Sequence, residues 1–178
     1  MGNMNKYLIY ILLLITVGCS HFNPYRDKSG LSKDELIVNE IIAKTARHLK
    51  KEKGLQPCGT GAQMMDEVKM LALSFDYNKP LEIEEGRKLI VYAVETFVSM
   101  INSDERIHPY LYNYPFEPKN VEVAIFIKNP DRSSIEPEKL CLISVIKGIL
   151  EYDVHDAKTS HLKTIYEETF VEAQKKMN

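Results

Sequence analysis

The densest group of side chains that could do chemistry lies in residues 108–116, with the sequence HPYLYNYPF. Its ring-bearing members are His108, Tyr110, Tyr112, Tyr114 and Phe116. Tyrosine combines a flat apolar face with a hydroxyl and loses little conformational entropy on binding, so it suits recognition of peptides or sugars. These residues therefore predict a recognition loop that its prolines stiffen. The alternative is that the same rings fold back and cap the end of the hydrophobic core.

A second group of polar side chains is close together in the sequence and comprises Asp153, His155, Asp156 and His161. Imidazole and carboxylate groups can form a metal site. The spacing matches no named metal motif, however, and a solvated strand end that leads into a helix explains it equally well. We therefore predict no metal site and no cofactor.

Sequence signatures of catalysis are missing from the chain. It contains no GxSxG, no HExxH and no convincing Cys–His arrangement. The acidic pairs Glu84–Glu85 and Glu167–Glu168 fall in predicted helices, where adjacent residues do not face each other. We expect these acids to lie on solvated helix faces, and we assign no catalytic residue.

The first eighteen residues indicate export. Lys6 is the only charge before an uncharged apolar run over residues 7–18. Such a run suits a secretory signal peptide and is short for a transmembrane helix, which needs about 17–25 apolar residues.

The run ends in Thr16-Val17-Gly18-Cys19, which resembles the lipobox of bacterial lipoproteins. That resemblance implies diacylglycerol on the Cys19 thiol, cleavage before Cys19 and acylation of the freed amine. Two or three acyl chains would hold the protein firmly to a membrane. In a cell with two membranes, Ser20 at the next position resembles the signal for the outer membrane. In a cell with one membrane, the anchor would lie on the outer face of the plasma membrane.

The composition of the full chain limits its possible partners. The 178 residues carry 23 Lys and Arg against 25 Asp and Glu, so no basic surface is indicated and a nucleic-acid partner is not expected. With Cys19 taken by lipid, Cys58 and Cys141 remain in an oxidising compartment, where they could pair or stay as small apolar side chains.

Apolar periodicity predicts six main elements. A helix opens with a capping box of Ser32 and Glu35 and ends before Gly54. The remaining predicted elements are a strand over residues 70–77, a helix over 82–102, a strand over 120–128, a β-rich run over 140–154 with a bulge or tight hairpin at Lys147-Gly148, and a helix over 160–176. Residues 55–63 and 104–118 are predicted loops.

This order, α-β-α-β-β-α, predicts an α+β fold. We expect a two-layer sandwich in which helices pack on a small mixed sheet of three or four strands. The β-α-β segment predicts one parallel strand pair. The predicted organisation is a lipoprotein signal peptide over residues 1–18, a tether over 19–30 and a single domain over 31–178.

The sequence therefore predicts a lipid-anchored protein of the cell envelope. Our hypothesis is a non-enzymatic binding or assembly module that contacts an envelope protein or polymer, with residues 108–116 as the candidate binding site. The alternative is a lipid-anchored hydrolase that acts on envelope polymers.

Overall fold

Amphipathic helices and alternating strands follow each other along the chain in the computed structural model, which describes residues 30–177. The predicted signal peptide, Cys19 and all but the last residue of the predicted tether lie outside the described residues. The elements are α1 (Lys33–Lys53), β1 (Gln56–Met64), β2 (Val68–Tyr77), α2 (Ile83–Asn102), β3 (Val121–Ile127), β4 (Leu140–Ile146), β5 (Ile149–His155), β6 (Leu162–Thr169) and α3 (Phe170–Lys175), with short 3-10 helices at His108–Tyr110 and Pro118–Asn120.

The strands form one mixed sheet in the order β1-β2-β3-β4-β5-β6. Strands β2 and β3 are parallel, as the β-α-β segment predicted, and all other neighbours are antiparallel. The α+β class is confirmed. The expected sheet of three or four strands is wrong, because six strands pair in the described part of the chain.

The two long helices follow from their apolar stripes. In α1 the buried side chains recur at helical spacing from Ile37 to Leu49, and the helix ends at Gly54, which has a φ of +72°. In α2 the capping box of Glu82 and Glu85 satisfies backbone N–H groups of the first turn. Both helices share one apolar core with the inward side chains of the sheet. Burial on that core holds them in place.

The structure decides between the two alternatives predicted at Lys147-Gly148, because a tight hairpin and not a bulge joins β4 to β5. Both residues have positive φ, at 52° and 79°, as a two-residue turn of type I′ requires. The turn shifts the alternation by one residue, so that both strands present apolar side chains to the core. Those side chains are Cys141, Ile143, Val145, Leu150, Tyr152 and Val154.

The predicted loop over residues 55–63 is wrong, because most of it forms the edge strand β1. Pro57, Gly59 and Gly61 interrupt any apolar alternation, and these residue types are poor strand formers. The strand pairs with β2 alone, from Gln56 opposite Asp76 to Met64 opposite Val68. An edge position tolerates proline and glycine because only one side of the strand must be paired.

The predicted helix over residues 160–176 is also wrong in its first half. Residues 162–169 form β6, which pairs with β5, and the helix begins only at Phe170. Thr169 accepts a hydrogen bond from the Glu172 N–H and the Glu172 carboxylate caps the Thr169 N–H, so the capping box fixes this start. A helix over residues 160–169 would leave the backbone groups along the edge of β5 without a partner.

Residues Asp34–Asn178 form one compact unit. Among residues 30–177, no helix is both long enough and apolar enough to span a membrane.

Candidate functional site

The candidate recognition loop, residues 108–116, is fixed where it leaves α2 and where it returns to the sheet. The Asn102 amide donates to the Phe116 carbonyl oxygen over 2.9 Å, and the Phe116 N–H donates to Asn102 Oδ1 over 2.8 Å. The Phe116 ring is buried. One asparagine at the end of α2 therefore holds the return of the loop against the core.

Further bonds fix the middle of the loop. The side chains of Asn113 and Asn120 exchange reciprocal amide hydrogen bonds of 3.3 and 3.1 Å. The Tyr112 N–H donates to the Val68 carbonyl oxygen over 2.9 Å, next to an isolated parallel bridge between Val68 and Leu111. The backbone is therefore ordered before any partner binds, which lowers the entropic cost of recognition.

This fixed backbone presents two tyrosine rings to solvent. Tyr112 is 60% exposed and Tyr114 is 57% exposed. The Lys69 ammonium lies 5.3 Å from the centroid of the Tyr112 ring, and the His108 ring packs against Tyr114 with centroids 4.1 Å apart. The His108 imidazole is itself held in place, because its Nε2 lies 2.9 Å from the Asn102 carbonyl oxygen.

The five predicted site residues divide between the two alternatives. Phe116 is buried and Tyr110 packs against the core, so these two rings act as the cap. His108 and Tyr114 lie together, and Tyr112 points outward nearby on the same loop. The arrangement offers apolar stacking faces and phenol hydroxyls to a partner. The binding role of these residues stays a prediction.

A buried polar cluster between α2, β5, β6 and the end of α3 was missed by sequence reasoning. At its centre is Glu168, whose side chain is 1% exposed. Its carboxylate accepts hydrogen bonds from Arg87 Nε at 2.6 Å, from the Tyr152 hydroxyl at 2.7 Å and from Lys176 Nζ at 2.7 Å. The expectation that Glu168 lies on a solvated helix face is wrong, because it occupies a strand position under α2.

Burial and charge oppose each other in this cluster. Burial alone would raise the pKa of Glu168, but hydrogen bonds from Lys176, Tyr152 and Arg87 outweigh it, and the net pKa lies below its ordinary value. Burial, and then the hydrogen bond to Glu168, raise the pKa of Tyr152 above its ordinary value. Glu168 is therefore an ionised and fully paired carboxylate, which fits a structural tie better than an acid or base in catalysis.

A signal for this cluster was present in the sequence. Arg87 falls at helical spacing with Ile90 and Val94, on the stripe that α2 buries. A guanidinium at such a position requires a buried acceptor. The sequence did not identify Glu168 as that acceptor, because residues 162–169 were predicted as helix and only the strand places Glu168 beside Arg87.

Polar residues at and near the β5–β6 connection make hydrogen bonds to nearby residues. Asp153 is buried and accepts a hydrogen bond from the Thr164 hydroxyl over 2.7 Å. Asp156 accepts from the backbone N–H groups of Lys158 and Thr159, at 2.9 and 2.8 Å, and so stabilises the turn. Within the described part of the chain, no three His, Cys, Asp or Glu side chains come together as a metal site.

The two remaining cysteines are free thiols in different environments. Cys58 is exposed on β1 and Cys141 is buried in β4. Burial is the main cause that raises the pKa of both thiols, so neither is an activated nucleophile.

No known protein family matches the sequence, and no curated protein or solved structure is significantly similar to it.

Proposed function

We propose that this chain is a lipid-anchored protein of the cell envelope, a non-enzymatic binding or assembly module that engages an envelope partner through the recognition loop. The lipid on Cys19 holds the domain at the membrane. Tyr112 and Tyr114 make the contact with the partner.

The observation that supports this proposal is the contrast between a fixed loop backbone and two exposed rings. Asn102 and the Asn113–Asn120 pair hold the loop, whereas Tyr112 and Tyr114 remain mostly exposed. Exposed aromatic rings on an ordered backbone are the usual anchors of interfaces.

The charged groups also favour binding over catalysis. Glu168 is the most deeply buried carboxylate among the described residues. Arg87, Tyr152 and Lys176 all donate hydrogen bonds to its oxygens. A catalytic acid or base needs an open path to substrate and a pKa near the working pH. The low pKa of Glu168 and its saturated hydrogen bonds meet neither requirement.

Photo-crosslinking in the native envelope tests the proposal. A photoreactive phenylalanine analogue replaces Tyr112 or Tyr114 in the full-length protein, and cells are irradiated before lysis. The matched control carries the same group at Phe126, which is 39% exposed on β3 and far from the loop in the sheet. We expect adducts with an envelope component from positions 112 and 114 and a background level from position 126.

Two results would contradict the proposal. One is recovery of the wild-type protein in the cytosolic fraction. The other is an adduct yield at positions 112 and 114 no higher than at position 126, in variants that melt at the wild-type temperature.

A further inference from the structure

Exposed apolar side chains are concentrated at one end of the sheet. We call it the loop end: it carries the β1–β2 turn, the recognition loop, the β4–β5 turn and the junction of β6 with α3. Of the nine large hydrophobic side chains that are exposed among residues 30–177, five lie there. They are Met65, Tyr112, Tyr114, Ile146 and Val171. Met65 is 96% exposed at the tip of its turn.

Contacts across the loop end connect these segments. Lys69 and Val68, just after the β1–β2 turn, contact Tyr112. Asn113 pairs with Asn120, which begins the approach to β3. The adjoining Lys119 lines a cavity of about 290 Å³ together with Gly148 and Val171, so the surface continues to the first turn of α3.

The chain that carries the anchor enters the domain at this same end. Helix α1 ends two residues before β1 begins, and β1 begins at the opposite end of the sheet, where Gln56 pairs with Asp76. In the first half of α1, Glu40 pairs with Arg106, which follows the end of α2 at the loop end. Helix α1 therefore runs away from the loop end, and its first turn lies there.

The length of the tether limits how far the loop end can move from the membrane. Residues 20–32 separate Cys19 from α1, which begins at Lys33, and thirteen residues span at most about 47 Å when fully extended. A group confined this close to a surface meets it at a high effective concentration, so weak contacts suffice to hold it there.

We propose that the loop end rests on the lipid bilayer that holds the anchor, with Tyr112, Tyr114 and Met65 inserted at the level of the lipid headgroups. This inference rests on the proposed lipid anchor and names the bilayer as the component that the recognition loop contacts. Tyrosine is enriched at membrane interfaces because its ring is apolar and its hydroxyl is polar.

The shape and charge of the loop end fit this occupant. Its exposed side chains lie on separate segments, namely the β1–β2 turn, the recognition loop, the end of β4 and the start of α3. This spread suits a broad surface better than a single groove for a peptide. Acidic Asp66 and Glu67 follow Met65, whereas Lys69 lies near Tyr112 and Lys119 lines the adjoining cavity. Because acids and lysines are mixed, contact does not require anionic lipid, and vesicles of phosphatidylcholine are a suitable probe.

The absence of tryptophan from the chain gives a direct test. Tyr112→Trp, Tyr114→Trp and the control Phe126→Trp each place one fluorophore in the full-length lipidated protein. The proteins are reconstituted into phosphatidylcholine vesicles whose acyl chains carry bromine, a quencher that acts only at short range. Flotation confirms anchoring, and thermal melting confirms the fold of each variant.

We expect emission from positions 112 and 114 to shift to the blue and to lose intensity in brominated vesicles. Emission from position 126 should be the same in brominated and unbrominated vesicles and should be quenched by soluble acrylamide. If anchored protein floats but positions 112 and 114 behave like position 126, the bilayer inference is wrong while the lipid anchor stands. Photo-adducts from the loop that contain protein rather than phospholipid would also overturn it. Protein that fails to float would remove both the anchor and this inference.

Discussion

Replacing Arg87 by methionine tests whether the buried cluster ties α2 to the end of the sheet. Arg87 Nε donates to Glu168 over 2.6 Å, with the two side chains 10% and 1% exposed. Methionine preserves most of the apolar stem and removes the charge and the hydrogen bond. The Arg87→Met variant therefore reports mainly on the ion pair.

The magnitude follows from what remains around Glu168. Tyr152 and Lys176 still donate to its carboxylate, each over 2.7 Å, so the negative charge keeps a cationic partner. The loss is then one charge-assisted hydrogen bond, about 1.5–3 kcal/mol. That is less than the roughly 3–5 kcal/mol expected when a buried charge is left without any partner. For a chain of this size the melting temperature should fall by about 3–12 °C.

The assay is thermal unfolding followed by circular dichroism, with Arg106→Met as the matched control. Arg106 also pairs with a glutamate, Glu40, but both side chains are more than half exposed. Exposed ion pairs contribute little to stability, so this variant should melt close to the wild type. Equal melting of Arg87→Met and wild type, or an equal loss in both variants, would refute the reasoning.

Three further predictions concern acid, the loop and the thiols. The pKa of Glu168 is lowered in the folded state, so the ionised carboxylate contributes to stability above its unfolded pKa of about 4.3. This contribution is lost as the pH falls through the folded-state pKa. The difference in unfolding free energy between wild type and Glu168→Gln should therefore be constant near neutral pH and shrink in acid. Phe116→Ala should cost about 3–5 kcal/mol in denaturant titration, whereas Tyr112→Ala should stay within about 0.5 kcal/mol; similar losses in both would place Tyr112 in the core. Alkylation without reductant should modify Cys58 in the native protein and Cys141 only after denaturation, and a bridge between them would contradict the structure.

Local signals predicted those parts of the fold whose structure depends on neighbours in the sequence. The stripe from Val38 to Leu49 and the glycine after it were enough to place α1. The change of alternation at Lys147-Gly148 was enough to predict a bulge or a tight hairpin at that point, because either one restores the apolar face, but it did not decide between them.

The two strands at the edges of the sheet could not be predicted in the same way. Strand β1 carries Gly59 and Gly61 and buries none of its residues, so its pairing with β2 left no apolar pattern in the sequence. Strand β6 has Leu162, Ile165 and Tyr166 at helical spacing, and its pairing with β5 prevailed over that pattern. The Thr169–Glu172 capping box did mark the true start of the helix.

The candidate site was also predicted only in part, because local signals gave its composition but not its long-range contacts. Composition predicted that residues 108–116 were a loop rich in aromatic rings. The sequence did not reveal which rings would face inward, because that depends on the Asn102–Phe116 and Asn113–Asn120 hydrogen bonds. The Arg87–Glu168 pair joins residues 81 positions apart in the sequence, so local sequence patterns could not predict it.

The most direct test of the central claim is metabolic labelling with a fatty-acid probe in the native cells. The account predicts label on the wild-type protein and none on Cys19→Ala, which should accumulate as unprocessed precursor. Label on the Cys19→Ala protein, or a wild-type protein without label, would contradict it.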